Sequence, residues 1–247
     1  MGNPHWRDLE NLVLVAGHAV YIADNFQDPV SDRSWLLQDF QKGEPPFYIE
    51  HICHGVELAD KDRKSLLIFS GGQTRYEAGP RSEAQSYWMI ADHFHWWWRT
   101  NVRLRATTEE FARDSFENLL FGICRFHECT GRYPQKITVV SWAFKDERFE
   151  LHRQAIHFPK SRFCFKGVNN PLDMASARKG EEGAIASFRE DKYGIKEDEG
   201  CLGDKRKKRN PFDRQHGYIM SCPELAGVLQ YREMNCYAGE LPWPKEE

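Results

Sequence analysis

The residues with the clearest chemical potential stand just beyond apolar runs. In LLIFSGGQTRYEAGPRSEAQ (66–85) such a run ends in Ser70, Gly71 and Gly72, then passes Arg75 to reach Ser82 and Glu83. Gly17 and His18 end and follow NLVLVAG in the same way, and Ser141 and Trp142 end KITVVSW, with Lys145 and Arg148 just beyond it. Glycine turns, helix-start N–H groups and cationic side chains together suit an anionic or phosphorylated small molecule. Glu83 and Glu117 are the carboxylates available as a general base, and Asn118 is a mid-helix amide suited to bonding a neighbouring loop or a ligand. A plainer reading stands beside this one. Gly71-Gly72 equally suits a tight turn, Ser82 with Gln85 forms a capping box, and a first-turn carboxylate such as Glu83 is favoured by the helix dipole by about 0.3–1 kcal/mol.

Groups so far apart in sequence need a scaffold that gathers them. Four short apolar runs, 11–17, 66–72, 136–142 and 162–168, lack period-two alternation, as strands covered on both faces do. A weaker run, VRLRA (102–106), reads as a strand nearer an edge. Between them the spacing predicts helices over 82–98, about 108–129 with Thr107 and Glu110 as a capping box, and about 145–157. SDRSWLLQDFQK and YIEHICHGVELADKD read as two more, broken by Pro45-Pro46. The expected fold class is α/β: a three-layer Rossmann-like parallel sheet over residues 1–170, with a C-terminal extension, 171–247, packed on it. The extension holds one helical stretch, ELAGVLQYR (224–232), a mobile segment near 192–210, and the basic run KRKKR (205–209). That run reads as a solvated loop rather than a nuclear import signal. In open parallel sheets ligands bind beyond the carboxyl ends of the strands, where strand order reverses. That edge is where the polar residues above fall, with Asn169, Asn170 and Asp173 after the last strand.

Several classes of function are disfavoured. A net charge of -3 gives no electrostatic case for nucleic-acid binding. No stretch approaches the roughly 18 apolar residues of a membrane span. MGNPHWRDLE lacks a secretory pattern, and Trp6 stands where a myristoylation signal on Gly2 takes Ser or Thr. The seven cysteines are scattered without a C-x-x-C pair, so neither a disulfide framework nor a zinc site is expected, and a reduced, cytoplasmic setting is. HICH (51–54) offers two histidines but no third ligand, so no metal is assigned. No G-x-S-x-G, G-x-G-x-x-G or Walker loop appears.

The order of the motifs resembles a known family. LVLVAGH ends the first strand in glycine, SGG and SEA follow the second, DSFEN (114–118) opens a later helix, and VVSWAFKDERFELHR (139–153) follows the fourth. Together they are similar to the domain-of-unknown-function family 218, the SanA/YdcF-like proteins, over about residues 11–168, with the tail resembling a cytosolic eukaryotic branch. The resemblance implies a Rossmann-like domain, a site from Gly17, Ser70, Gly71, Gly72, Ser82, Glu83, Glu117, Asn118, Ser141 and Arg148, and S-adenosylmethionine as a cofactor to consider. Lys145 departs from the histidine usual in the family. The sequence leaves two functions open: an enzyme in which Arg75, Lys145 and Arg148 neutralise a small anionic or nucleotide-like ligand over the 71–72 backbone, or a ligand-sensing module without turnover. The latter would recruit a partner through aromatics on the 87–98 helix or the tail.

Overall fold

The computed structural model describes residues 4–244, so Gly2 lies outside the described residues. Seven strands occur among them: β1 (Asn11–Ala16), β2 (Val20–Tyr21), β3 (Trp35–Leu36), β4 (Ser65–Ser70), β5 (Ala106–Glu109), β6 (Lys136–Ser141) and β7 (Phe163–Gly167). Five form one parallel sheet in the order β5-β4-β1-β6-β7, and β2 pairs with β3 in a short antiparallel ribbon. The helices are α1 (Pro45–Lys61), α2 (Glu83–His93), α3 (Thr100–Arg103), α4 (Ser115–Thr130), α5 (Asp146–Ala155), α6 (Met174–Glu190), α7 (Leu202–Lys208), α8 (Tyr218–Ser221) and α9 (Ala226–Leu229).

This is the α/β fold expected from the alternation of runs. Alternate residues of each central strand feed two separate cores, which explains why the strands read as continuous apolar runs. Val13, Val15, Leu67 and Phe69 pack with Tyr48, Ile52 and Val56 of α1 and with Tyr87 and Ile90 of α2. Leu12, Leu14, Leu66 and Ile68 face Phe116, Leu119 and Ile123 of α4 and Phe149 of α5. The extension closes over this second core through Phe188, Tyr193, Tyr218, Leu225 and Trp243. Two helical glycines set the layer spacing: a Cβ on Gly55 would fall 2.3 Å from Val15 Cγ2, and one on Gly122 2.7 Å from Leu14 Cδ1.

Several local expectations are corrected. Pro45-Pro46 does not break a helix but opens α1, where the missing N–H groups cost nothing. SDRSWLLQDFQK is no helix; it holds two short 3₁₀ turns and β3. The edge strand begins at Ala106, since Val102 and Arg103 belong to α3, and the Arg105 guanidinium ties this junction to the carbonyls of Ala59, Asp62 and Ser65. The following helix starts at Ser115 with Asp114, not Thr107, as its cap. The helix from Glu83 stops at His93, since His95 to Trp98 all take left-handed φ values of 47–65°. At about 1–2 kcal/mol each this is strained backbone, held by the Phe94–Trp97 ring stack and by Trp96 Nε1 donating to Asp92. Tyr87 and Trp96 are buried, so of the aromatics proposed for partner recruitment only Trp98, 84% exposed, stands clear.

Candidate functional site

Strand order reverses between β1 and β6: the chain builds outward from β1 through β4 to β5, then returns to lay β6 on the other side. The carboxyl ends of these two strands open into a cavity of about 980 Å³, at the upper end of the roughly 300–1,000 Å³ usual for small-ligand sites. Gly17, His18, Arg75, Glu83, Asn118, Ser141, Lys145 and Arg148 all line it. Ser70, Gly71, Gly72, Ser82 and Glu117 do not; each has another task.

The glycines exist to admit Glu83. A Cβ on Gly17 would sit 2.7 Å from Glu83 Cβ, and one on Gly71 would sit 2.6 Å from Glu83 Oε2. The Glu83 side chain is thus wedged between the ends of β1 and β4, with Thr74 Oγ1 donating to Oε1 at 2.7 Å. Burial pushes its carboxyl up, against that hydrogen bond. The expected backbone cradle at 71–72 is absent. Gly71 N–H donates to Glu109 and Gly72 N–H to Ala112, while the Glu83 and Ala84 N–H groups at the start of α2 donate back to Gly72 and Gly71. Ser82 is the cap of α2, its Oγ accepting from Gln85 N at 2.9 Å. The plain reading of this turn therefore holds for Ser82 and both glycines.

Ser70 is fully buried, donating to Glu109 Oε2 at 2.7 Å and lying 3.0 Å from Asn118 Oδ1. Glu109 also accepts from Phe111 N, Ala112 N and the Tyr218 hydroxyl, and burial raises its carboxyl to about 7. Ser70 thus serves an internal network that ties β4, β5 and α8 together. Glu117, expected as a base, accepts from Arg113 N and Nε at 2.9 Å each and lies 3.4 Å from Arg206 Nε. With both oxygens occupied it has no free edge for a substrate.

The cations divide sharply. Arg148 is held by Glu181 of α6, its Nε 2.9 Å from Oε1, and burial lowers it to about 10. Lys145 and Arg75 line the cavity with no carboxylate in ion-pair contact among the described residues. Burial, then the proximity of Arg148, pushes the Lys145 ammonium well below its ordinary value. The KRKKR run, expected to be a solvated loop, is the C-terminal part of α7 and its flank. Arg206 is buried against Asp114 at 2.6 Å, while Lys205, Lys208 and Arg209 line the cavity mouth. The segment expected to be mobile is therefore a wall of the site.

Around Lys145 the sequence reading missed Glu44, the cap residue of α1, which accepts from the Tyr48 hydroxyl at 2.6 Å. Burial raises its carboxyl. His18 stacks on Trp142, and burial with Lys145 nearby keeps its ring neutral. His51, one half of HICH, is buried beside it with Nε2 2.7 Å from Asn169 Oδ1, and burial pushes it down to about 3. Ser115 and His152 also line the cavity unforeseen, as do Arg113 and Asp114. Glu44, as a carboxylate just before a Pro-Pro helix start, carried a faint signal; Ser115 and His152 lie within the DSFEN and VVSWAFKDERFELHR motifs, but nothing in their spacing pairs them.

Among the described residues no group of three or more His, Cys, Asp or Glu is placed to hold a metal ion. No helix there is long and apolar enough to cross a membrane. S-adenosylmethionine does not fit the residues present. Its sulfonium and ammonium outweigh its one carboxylate, whereas basic side chains outnumber acidic ones along the cavity walls.

In sequence the chain is 29% identical over 269 aligned residues to a protein of Saccharomyces cerevisiae described as uncharacterized protein YOR238W, covering 85% of this chain and 86% of that one. No family model matches the chain, and no solved structure matches it.

Proposed function

We propose that the chain is an enzyme that binds a small anionic, phosphate- or nucleotide-bearing metabolite in the cavity at the ends of β1 and β6. The observation that carries this reading is the group of cavity cations with no carboxylate in ion-pair contact among the described residues, Lys145 and Arg75 together with Lys205 and Arg209, in a cavity that also holds partly desolvated acids. Two neighbouring cations, Arg148 and Arg206, already have a carboxylate. An anion seated between Lys145 and Arg75 supplies the missing charge. Glu83, wedged beside it with a raised proton affinity, is the group suited to move a proton at the reacting atom. The shared position of Gly17, Glu83, Asn118, Ser141 and Arg148 in one cavity also supports membership of the SanA/YdcF-like family.

Thermal melting with a panel of phosphate, nucleotides, sugar phosphates and S-adenosylmethionine tests the reading. Ligand at a hundred times its Kd adds about 2.7 kcal/mol of stability, so phosphorylated members raise the melting temperature of the wild type and raise it less in Arg75→Ala. No shift with any anion defeats the proposal. A shift without turnover of any bound compound turns it into the ligand-sensing alternative.

A further inference from the structure

The same cavity holds a second pair of reactive groups. Ser115 is the first residue of α4 and His152 lies within α5. The Ser115 Oγ is 2.8 Å from His152 Nε2. Both line the cavity, the serine partly exposed to it and the histidine 2% exposed behind it. Ser115 stands one turn before Asn118 on α4, and Arg148 stands one turn before His152 on α5, so the pair shares its helix faces with two other cavity residues. The imidazole is clamped edge-on between Phe116, Phe149 and Phe188, with centroids 5.7, 5.5 and 4.3 Å away. Burial keeps that ring neutral. Its Nδ1 has no hydrogen-bond partner among the described residues, so the aromatic clamp, not a carboxylate, fixes its orientation.

We infer that Ser115 and His152 form a nucleophile–base dyad that hydrolyses a carboxylic ester of an anionic metabolite held in the cavity. This deepens the anion-binding reading by naming a reaction class, and it rests on that reading for the anionic part of the substrate. Ser115 Oγ attacks the ester carbonyl carbon as its proton passes to His152 Nε2. The C–O bond to the leaving alcohol breaks, and that alkoxide takes the proton from Nε2, leaving an acyl group on Ser115. Water from the open cavity then adds to the acyl carbon, giving a proton to Nε2. Collapse releases the carboxylic acid, and Ser115 Oγ recovers the proton.

The test is covalent capture of the full chain with diisopropyl fluorophosphate, read by intact mass and peptide mapping. Ser115 Oγ forms a phosphoryl ester bond to phosphorus as fluoride leaves and the serine proton passes to His152 Nε2, so one diisopropylphosphoryl adduct maps to Ser115 in the wild type. His152→Gln slows that labelling by about 10²-fold or more, the range expected for loss of a general base. A wild type that stays unlabelled, or an adduct that maps elsewhere, overturns the inference without relying on any variant. The two readings fail separately. Phosphate-induced melting shifts with no Ser115 adduct sink the dyad and leave the anion site, whereas an adduct without such shifts does the reverse.

Discussion

Replacing Arg206 with methionine removes a guanidinium from the centre of a buried ion cluster while keeping most of the side chain's packing over Phe116. Its Nε lies 2.6 Å from Asp114 Oδ2 and 3.4 Å from Glu117 Oε1, and the three side chains are 8%, 10% and 4% exposed. Glu117 keeps Arg113 in the variant; Asp114 keeps only the N–H of Glu117. Breaking a buried pair from one side costs about 3–5 kcal/mol, because the remaining charge stays desolvated. For a chain of this length 1 kcal/mol corresponds to roughly 2–4 °C, so differential scanning calorimetry should find the melting temperature about 6–20 °C lower. The sign with pH is fixed as well. Burial pushes the Asp114 carboxyl up, but Arg206 outweighs it and holds the group below its usual range. The stability it contributes is present above the unfolded carboxylate value of roughly 4 and is lost as pH falls further. The deficit of the variant therefore shrinks in acid. Asparagine caps a helix about as well as aspartate, so adding Asp114→Asn should recover part of the loss, with a coupling within about 0.5–3 kcal/mol. A drop under about 2 °C, or no recovery in the double variant, refutes the claim that α7 is clamped to α4 by this cluster.

Other consequences are as direct. Because burial and Arg148 depress the Lys145 ammonium, an anion bound beside it raises its proton affinity, so binding tightens as pH falls through the range in which Lys145 titrates; titrations with sulfate, whose own charge stays fixed, over a pH series read the dependence, and binding that weakens towards lower pH contradicts it. Glu181→Gln frees Arg148 from its internal carboxylate, and phosphate affinity should rise by about tenfold, or 1.4 kcal/mol; unchanged or weaker binding in that variant rules out the competition. Gly17→Ala drives a Cβ to 2.7 Å from Glu83 Cβ, an overpacking worth about 1–3 kcal/mol, which chemical denaturation will detect as a lower midpoint with an unchanged slope.

What the sequence made legible was whatever depends on neighbours in the chain. The central strands are continuous runs such as LVLVA and LLIF because each is covered on both faces, and the Ser82-to-Gln85 capping box forms as its spacing suggests. What stayed hidden depends on distant partners. Thr107-x-x-Glu110 has the spacing of a cap, yet the segment is a strand because Glu109 is drawn inward by Ser70 and Tyr218, 39 and 109 positions away. KRKKR looks solvated until Asp114, 92 positions earlier, claims Arg206. Glu117 looks catalytic only if Arg113 and Arg206 are out of view. The α6 helix carries Gly180 and Gly183 within it, which masks its periodicity although its buried Ile185 and Phe188 are correctly spaced to dock. Of the expected site, the residues after β1 and β6 converge, because a parallel sheet delivers its carboxyl ends to one edge whatever the loops do. After β4 the outcome is mixed: Arg75 and Glu83 reach the cavity, whereas Gly71, Gly72 and Ser82 do not, because their hydrogen bonds are spent on building the turn that seats Glu83.

Calorimetric titration of inorganic phosphate and a nucleoside monophosphate into wild-type protein and the Arg75→Ala/Lys145→Met double variant at low ionic strength is the most direct measurement of anion recognition in the cavity. Saturable 1:1 binding to the wild type that weakens with added salt and is lost in the double variant is the expected result. Equal binding by both proteins, or no binding to either, contradicts it.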